Sequence, residues 1–85
     1  MSGRNATIES SKHYPLCTPS DDNDVALYEG RYPRISVSAG TLVVHDLSGA
    51  TQTFADGDLP AAVIIPMFVK RVLSTGTSAT VRLWY

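Results

Sequence analysis

The sequence holds a single cysteine, Cys17, so no disulfide can close within the chain, and a lone thiol suits synthesis in a reducing cytosol. Histidine is almost as scarce. His13 and His45 stand far apart and, with one cysteine, do not supply the close ligand pairs of a structural zinc site. Positive charge is not in excess: seven Lys and Arg against eight Asp and Glu give a net charge of −1. A nucleic-acid binder needs a basic footprint, so no nucleic acid is expected as partner. No apolar run approaches the roughly 20 residues of a membrane-spanning helix. Residues 1–20 hold no apolar stretch of the secretory type, so neither a membrane nor export is expected, and Asn5-Ala6-Thr7 reads as a chance glycosylation triplet. A phosphate-cradling glycine motif is also missing.

What is present is a short globular chain. Its 85 residues make one domain, with 44% hydrophobic and 18% charged residues, a balance that is folded rather than disordered. Domains of about 70–80 residues or fewer seldom gain more than about 3–5 kcal/mol from their core and add disulfides, a metal or oligomerisation. With the first two removed by counting, assembly remains.

Two regions differ in pattern. Residues 1–23 show no sustained period and read as an extended N-terminal arm with Ile8, Tyr14, Leu16 and Cys17 as isolated apolar anchors. The arm either hangs free or lies over a neighbouring subunit. Residues 24–85 form a β domain. Strands are predicted at about Val25–Tyr28, Arg34–Ser38, Thr41–Asp46, Ala50–Ala55 and Ala79–Tyr85. The run "AAVIIPMFVKRVL" is apolar on both parities; Pro66 would cost about 3 kcal/mol inside a helix, so it reads as two strand segments bent at Pro66, with a bulge or an edge position there. "SAG", "LSG" and "STG" place Gly40, Gly49 and Gly76 where a hairpin closes on a left-handed glycine. These elements predict an all-β fold, a compact antiparallel β-sandwich or barrel of six to seven short strands.

Chemistry is sparse. "HDLS" sets His45, Asp46 and Ser48 side by side, but neighbours on one strand and turn do not converge as a nucleophile, a base and its orienting group must, so no catalytic residue is expected. "DDND" and "DGD" gather carboxylates that calcium could use, yet neither has the spacing of a calcium loop, and turns want the same residues; no metal or cofactor is assigned. In the last strand Val81, Leu83 and Tyr85 share one face, and Thr80, Arg82 and Trp84 the other. With the first set inward, Trp84 lies outside beside Arg82, the pairing that dominates interface hot spots; the alternative is a tryptophan closing one end of the subunit's own core.

The stretches "DVALYEG" and "GTLVVHDLSGATQTFADGDLPAAVIIPMFVKRVLSTGTSATVRLWY" resemble the small spike-base and head-decoration proteins of tailed bacteriophages and gene transfer agents. The counterparts are Ala26–Gly30, Gly40–Val44, Thr53-Phe54, Leu59-Pro60, Ile64–Met67, Val69–Leu73, Thr75–Thr80 and Leu83–Tyr85, with "IIPMFVKRVLSTGTSAT" the most specific part. The match spans about residues 24–85; "GRYPRISVSAG" and "LPAAVIIP" depart from the family pattern.

The resemblance implies a non-enzymatic virion structural protein, made in the host cytoplasm and located on the capsid surface. It implies a homo-oligomer, pentamer or trimer, that binds the major capsid protein and either carries a spike fibre or clamps capsid subunits. On that reading Trp84, Arg82, Tyr85, Phe68 and Met67 form the subunit or partner interface, and Ile8, Tyr14 and Leu16 anchor the arm. The rivals are a carbohydrate-binding β-sandwich using Tyr28, Tyr32 and Trp84, and a hydrolase built on His45.

Overall fold

Alternation of apolar side chains decides where the strands fall. In the computed structural model, which describes residues 12–85, β1 is Arg34–Val37, β2 Leu42–His45, β3 Thr51–Phe54, β4 Ile65–Phe68, β5 Arg71–Val72 and β6 Val81–Trp84. Every second residue of β1, β2 and β6 is buried, as the period of a strand requires. The strands pair antiparallel in two three-stranded sheets, ordered β4-β1-β6 and β3-β2-β5. Ile35, Val37, Ile65, Val81 and Leu83 from the first sheet meet Leu42, Val44 and Val72 from the second in one core. The chain is therefore the expected all-β antiparallel sandwich, with no helix among the described residues.

The long apolar run is apolar on both parities because it changes sheets. Ile65 is buried under the first sheet and Val72 under the second. Two strand segments were expected, bent at Pro66; the chain instead passes straight through Pro66 within β4 and breaks at Val69–Lys70. There the Val69 N–H donates to Pro33 O at 3.3 Å and the Lys70 N–H to His45 O at 2.9 Å. Pro66 is tolerated because β4 is an edge strand, where one side needs no donor. The register also slips opposite it, between Arg34 and Ile35, so both the edge position and the irregularity signalled by the proline are present.

The strand expected at Val25–Tyr28 does not form. Tyr28 and Arg31 exchange two backbone hydrogen bonds of 3.1 and 3.0 Å around a tight turn in which Glu29 and Gly30 both take positive φ. The next such exchange would pair Ala26 with Pro33, which has no N–H to give, so the ladder stops after one rung.

The left-handed expectation holds at all three glycines, with φ of 130° at Gly40, 92° at Gly49 and 91° at Gly76. The hairpin expectation holds only at Gly49, which joins the paired strands β2 and β3. Gly40 and Gly76 lie on connections that carry the chain from one sheet to the other.

Over residues 12–20 the arm is held on its own chain. It runs antiparallel along the open edge of β6, where Tyr85 N–H donates to His13 O, Leu83 N–H to Pro15 O and Cys17 N–H to Val81 O, at 2.9, 3.0 and 2.8 Å. It then crosses to the second sheet, where Ser20 N–H donates to Val72 O at 2.8 Å and Val25 N–H to Lys70 O at 2.9 Å. One segment thus covers an edge of each sheet, which removes two templates for unwanted strand pairing. The arm anchor Ile8 lies outside the described residues.

Candidate functional site

Cross-strand register assembles the outer face of the first sheet. Arg34 of β1 stands opposite Trp84 of β6 on one side and Phe68 of β4 on the other, while Ser36 stands opposite Arg82. Leu16 of the arm bridges to Arg82, and the Tyr14 ring stacks on Trp84 with centroids 5.2 Å apart and planes 25° apart. The rows Phe68, Arg34, Trp84, Tyr14 and Ser36, Arg82, Leu16 therefore lie side by side. Phe68, Tyr14 and Leu16 expose 54%, 52% and 58% of their surface, figures that mark a cluster rather than scattered apolar side chains.

This face is held in place from beneath. The Trp84 Nε1–H donates to Ser36 Oγ at 2.8 Å, which ties the indole to β1. The Arg82 guanidinium donates from Nη1 to Tyr14 O at 2.7 Å, tying the arm's backbone to β6. Among the described residues the ion pairs are Arg31–Glu29 at 2.5 Å and Arg71–Asp24 at 2.8 Å. Arg34 and Arg82 belong to neither, so the face carries two positive charges among aromatic rings with no described carboxylate against them.

Of the residues expected at an interface, Trp84, Arg82 and Phe68 share this face. Met67 is half-buried and packs against the core. Tyr85 is 8% exposed and belongs to its own subunit's core. Its hydroxyl donates to Ala26 O, and its ring lies 5.4 Å from His13 and 5.8 Å from Tyr28. Burial raises the Tyr85 hydroxyl above its ordinary pKa, with the Cys17 thiol adding to the effect. The Cys17 thiol is itself raised by burial, which favours its protonated form. Sequence reasoning missed Arg34, and Tyr14 as the stacking partner of Trp84. Arg34 was readable from the parity of β1, since Ile35 and Val37 point inward.

The acidic clusters serve the loops. Asp21 accepts from the Thr75 N–H at 2.9 Å and from its hydroxyl at 2.5 Å, Asp56 accepts from the Gly40 N–H at 3.1 Å, and Asp58 from the Ala55 N–H at 2.8 Å. In "HDLS" the Ser48 hydroxyl donates to Asp46 at 2.6 Å, as do the Ser48 and Ala50 N–H groups at 3.0 and 3.1 Å, with Gln52 on the second oxygen at 3.1 Å. Asp46 is thus the organising carboxylate of the β2–β3 hairpin.

These bonds, those from Ser48 and Gln52 foremost, lower the Asp46 pKa from 3.8 to about 2. A depressed folded-state value stabilises the fold above the unfolded pKa and is lost as pH falls through the folded one. Acid unfolding between pH 3.8 and about 2 should therefore be shallower in Asp46→Asn than in the parent chain, with the two curves parallel above that window. Melting temperatures recorded across that range check it.

Taken together, the fold and the face define a small antiparallel β-sandwich that displays one basic, aromatic sheet surface to solvent. No family model and no curated protein matches the chain. Among solved structures, a chain in "Capsid of native GTA particle computed with C5 symmetry" superposes with a TM-score of 0.71 at 39% identity, over 88% of this chain and 83% of that one. The chain belongs to the family of that gene transfer agent capsid component. The resemblance to phage and gene transfer agent head proteins is thereby supported at the level of a capsid-related protein.

Proposed function

We propose that the chain is a virion structural protein, a homo-oligomeric component of the capsid surface that binds the major capsid protein and serves as a spike base or a decoration. The observation that carries this reading is the 39% identity over 88% of the chain to a component of a gene transfer agent capsid. The exposed face of the first sheet supports it. Specific contacts concentrate on Trp and Arg ringed by apolar neighbours, and here Trp84 and Arg82 sit among Tyr14, Leu16 and Phe68. Two copies meeting symmetrically through this face would oppose like charges, so the surface it takes is acidic and partly apolar.

The carbohydrate reading loses one of its three aromatics. Tyr28 stacks on His13 at 4.6 Å and packs against Tyr85, so its ring is engaged within the subunit. Density-gradient fractionation of assembled particles tests the proposal. The chain is expected to sediment with capsids and to be present there in a fixed copy number by quantitative mass spectrometry. A chain that stays at the top of the gradient as a monomer and binds a glycan would overturn it.

A further inference from the structure

The two sheets end on β4, β6, β5 and β3, and the first three of these edges are closed to further pairing. The arm runs along β6, the Ser20 and Val25 N–H groups bond to β5, and Pro66 removes a donor from β4. No such protection lies along β3 among the described residues. The strand has no proline and no charge, and its pairing with β2 runs without a slip from Thr51 to Phe54. It also overhangs the core: Gln52 has the inward parity of its partner Val44, yet Val44 is buried and Gln52 exposed.

The ladder decides which backbone groups of β3 point outward. On the β5 side, the Leu73 N–H donates to Val43 O and the Lys70 N–H to His45 O, both at 2.9 Å, so Val43 and His45 turn their backbone groups away from β3. Their partners in register, Thr53 and Thr51, turn theirs away from β2 in the same way, because hydrogen-bonded and non-bonded pairs alternate along an antiparallel ladder. Thr51 and Thr53 therefore each hold an N–H and a C=O at the open edge. At Ala55 the edge ends, since its N–H already donates to Asp58 at 2.8 Å.

We propose that this edge takes the same edge of a second copy, the two β3 strands lying antiparallel about a two-fold axis at Gln52. In that register Thr51 of each copy stands opposite Thr53 of the other, every outward N–H meets an outward C=O, and the two β3-β2-β5 sheets become one continuous sheet. Charge favours a second copy as the occupant. The stretch 50–55 is neutral and the whole chain carries only −1, so copies meet here with no like charges opposed, whereas the face holding Arg34 and Arg82 would oppose its own. Threonine opposite threonine is itself a favourable cross-strand pair. The face of the first sheet is untouched, so each copy's contact with a capsid does not depend on the pairing. This inference goes beyond the virion reading and stands apart from it, since it concerns the chain in solution.

Sedimentation velocity and amide hydrogen exchange of the full chain test it together. From micromolar to millimolar concentration the sedimenting mass should double, and over the same range exchange at the Thr51 and Thr53 amides should slow. Thr51→Glu combined with Thr53→Glu sets carboxylates opposite one another across the axis and should leave a monomer throughout. Thr51→Lys combined with Thr53→Glu sets opposite charges there and should pair again. Both variants change exposed side chains of an edge strand, and far-ultraviolet dichroism confirms that each retains the sandwich. A parent chain that stays monomeric at millimolar concentration would overturn the proposal. So would a dimer that survives the double Glu variant, or Thr51 and Thr53 amides whose exchange ignores concentration, because the contact would then lie elsewhere.

Discussion

Gly40→Val should destabilise the fold by about 2–6 kcal/mol, the sum of a left-handed backbone strain of about 1–3 kcal/mol and an overpacking cost of similar size. A Cβ at Gly40, where φ is 130°, would stand 2.8 Å from Ser78 Oγ, 2.9 Å from the Ala79 nitrogen and 3.0 Å from its Cα. Two of those atoms are backbone, and this stretch of chain is fixed by the Ser78 and Ala79 N–H groups donating to Thr41 O at 2.9 and 3.1 Å. Neither side can yield without breaking the connection that joins the two sheets. In a domain of this size the melting temperature should fall by at least about 8 °C. Gly49→Ala is the control: its Cβ meets nothing within 4 Å, so only the backbone strain of about 1–2 kcal/mol remains. Equal losses at the two sites would show that φ alone, and not the close approach of the sheets, makes Gly40 necessary.

Trp84→Ala and Arg82→Glu should each weaken association with the particle by roughly 30-fold or more, the scale of a hot-spot residue worth about 2 kcal/mol. Both side chains point away from the core, so the sandwich should survive. Trp84→Ala removes the stack on Tyr14 and the bond to Ser36, while Arg82→Glu reverses the charge at the centre of the face. An acidic partner would then meet a like charge, so the larger loss is expected from Arg82→Glu. Thr53→Glu, on the exposed strand β3 of the other sheet, should leave association unchanged. Binding of the purified variants to capsids stripped of the chain measures all three.

The parts of the fold that were legible in the sequence are those set by local alternation. Val81, Leu83 and Tyr85 point inward and Arg82 and Trp84 outward, as a period of two dictates. The hairpin at Gly49 was legible from its turn residues, with a left-handed glycine closing it and Asp46 as acceptor within it. Sheet membership was not legible. "SAG" and "STG" have the local chemistry of hairpins, and only the distant partners of β1, β2 and β6 make them crossovers. The same holds for the run around Pro66, whose double-sided apolar pattern records a chain leaving one sheet for the other.

The arm shows where punctuation misleads. His13, Pro15 and Cys17 carry the backbone bonds to β6, while Tyr14 stacks on Trp84 and Leu16 is exposed, a strand-like alternation that Pro15 and Pro19 disguise as loop. At the site, Trp84 with Arg82 was visible from parity alone. Tyr14 joins them only through pairing between segments distant in sequence. The inward side of Tyr85 was legible from parity, while the closure of His13, Tyr28 and the Ala26 carbonyl around it was not.

The central claim is that this sandwich works on a capsid and meets it through the sheet β4-β1-β6. A cryo-electron microscopy reconstruction of the particle that carries the chain tests it most directly. The account predicts density for the sandwich on the capsid surface with Arg82, Trp84 and Tyr14 buried against an acidic neighbouring surface. A particle in which that face looks out to solvent, or which lacks the chain altogether, would contradict it.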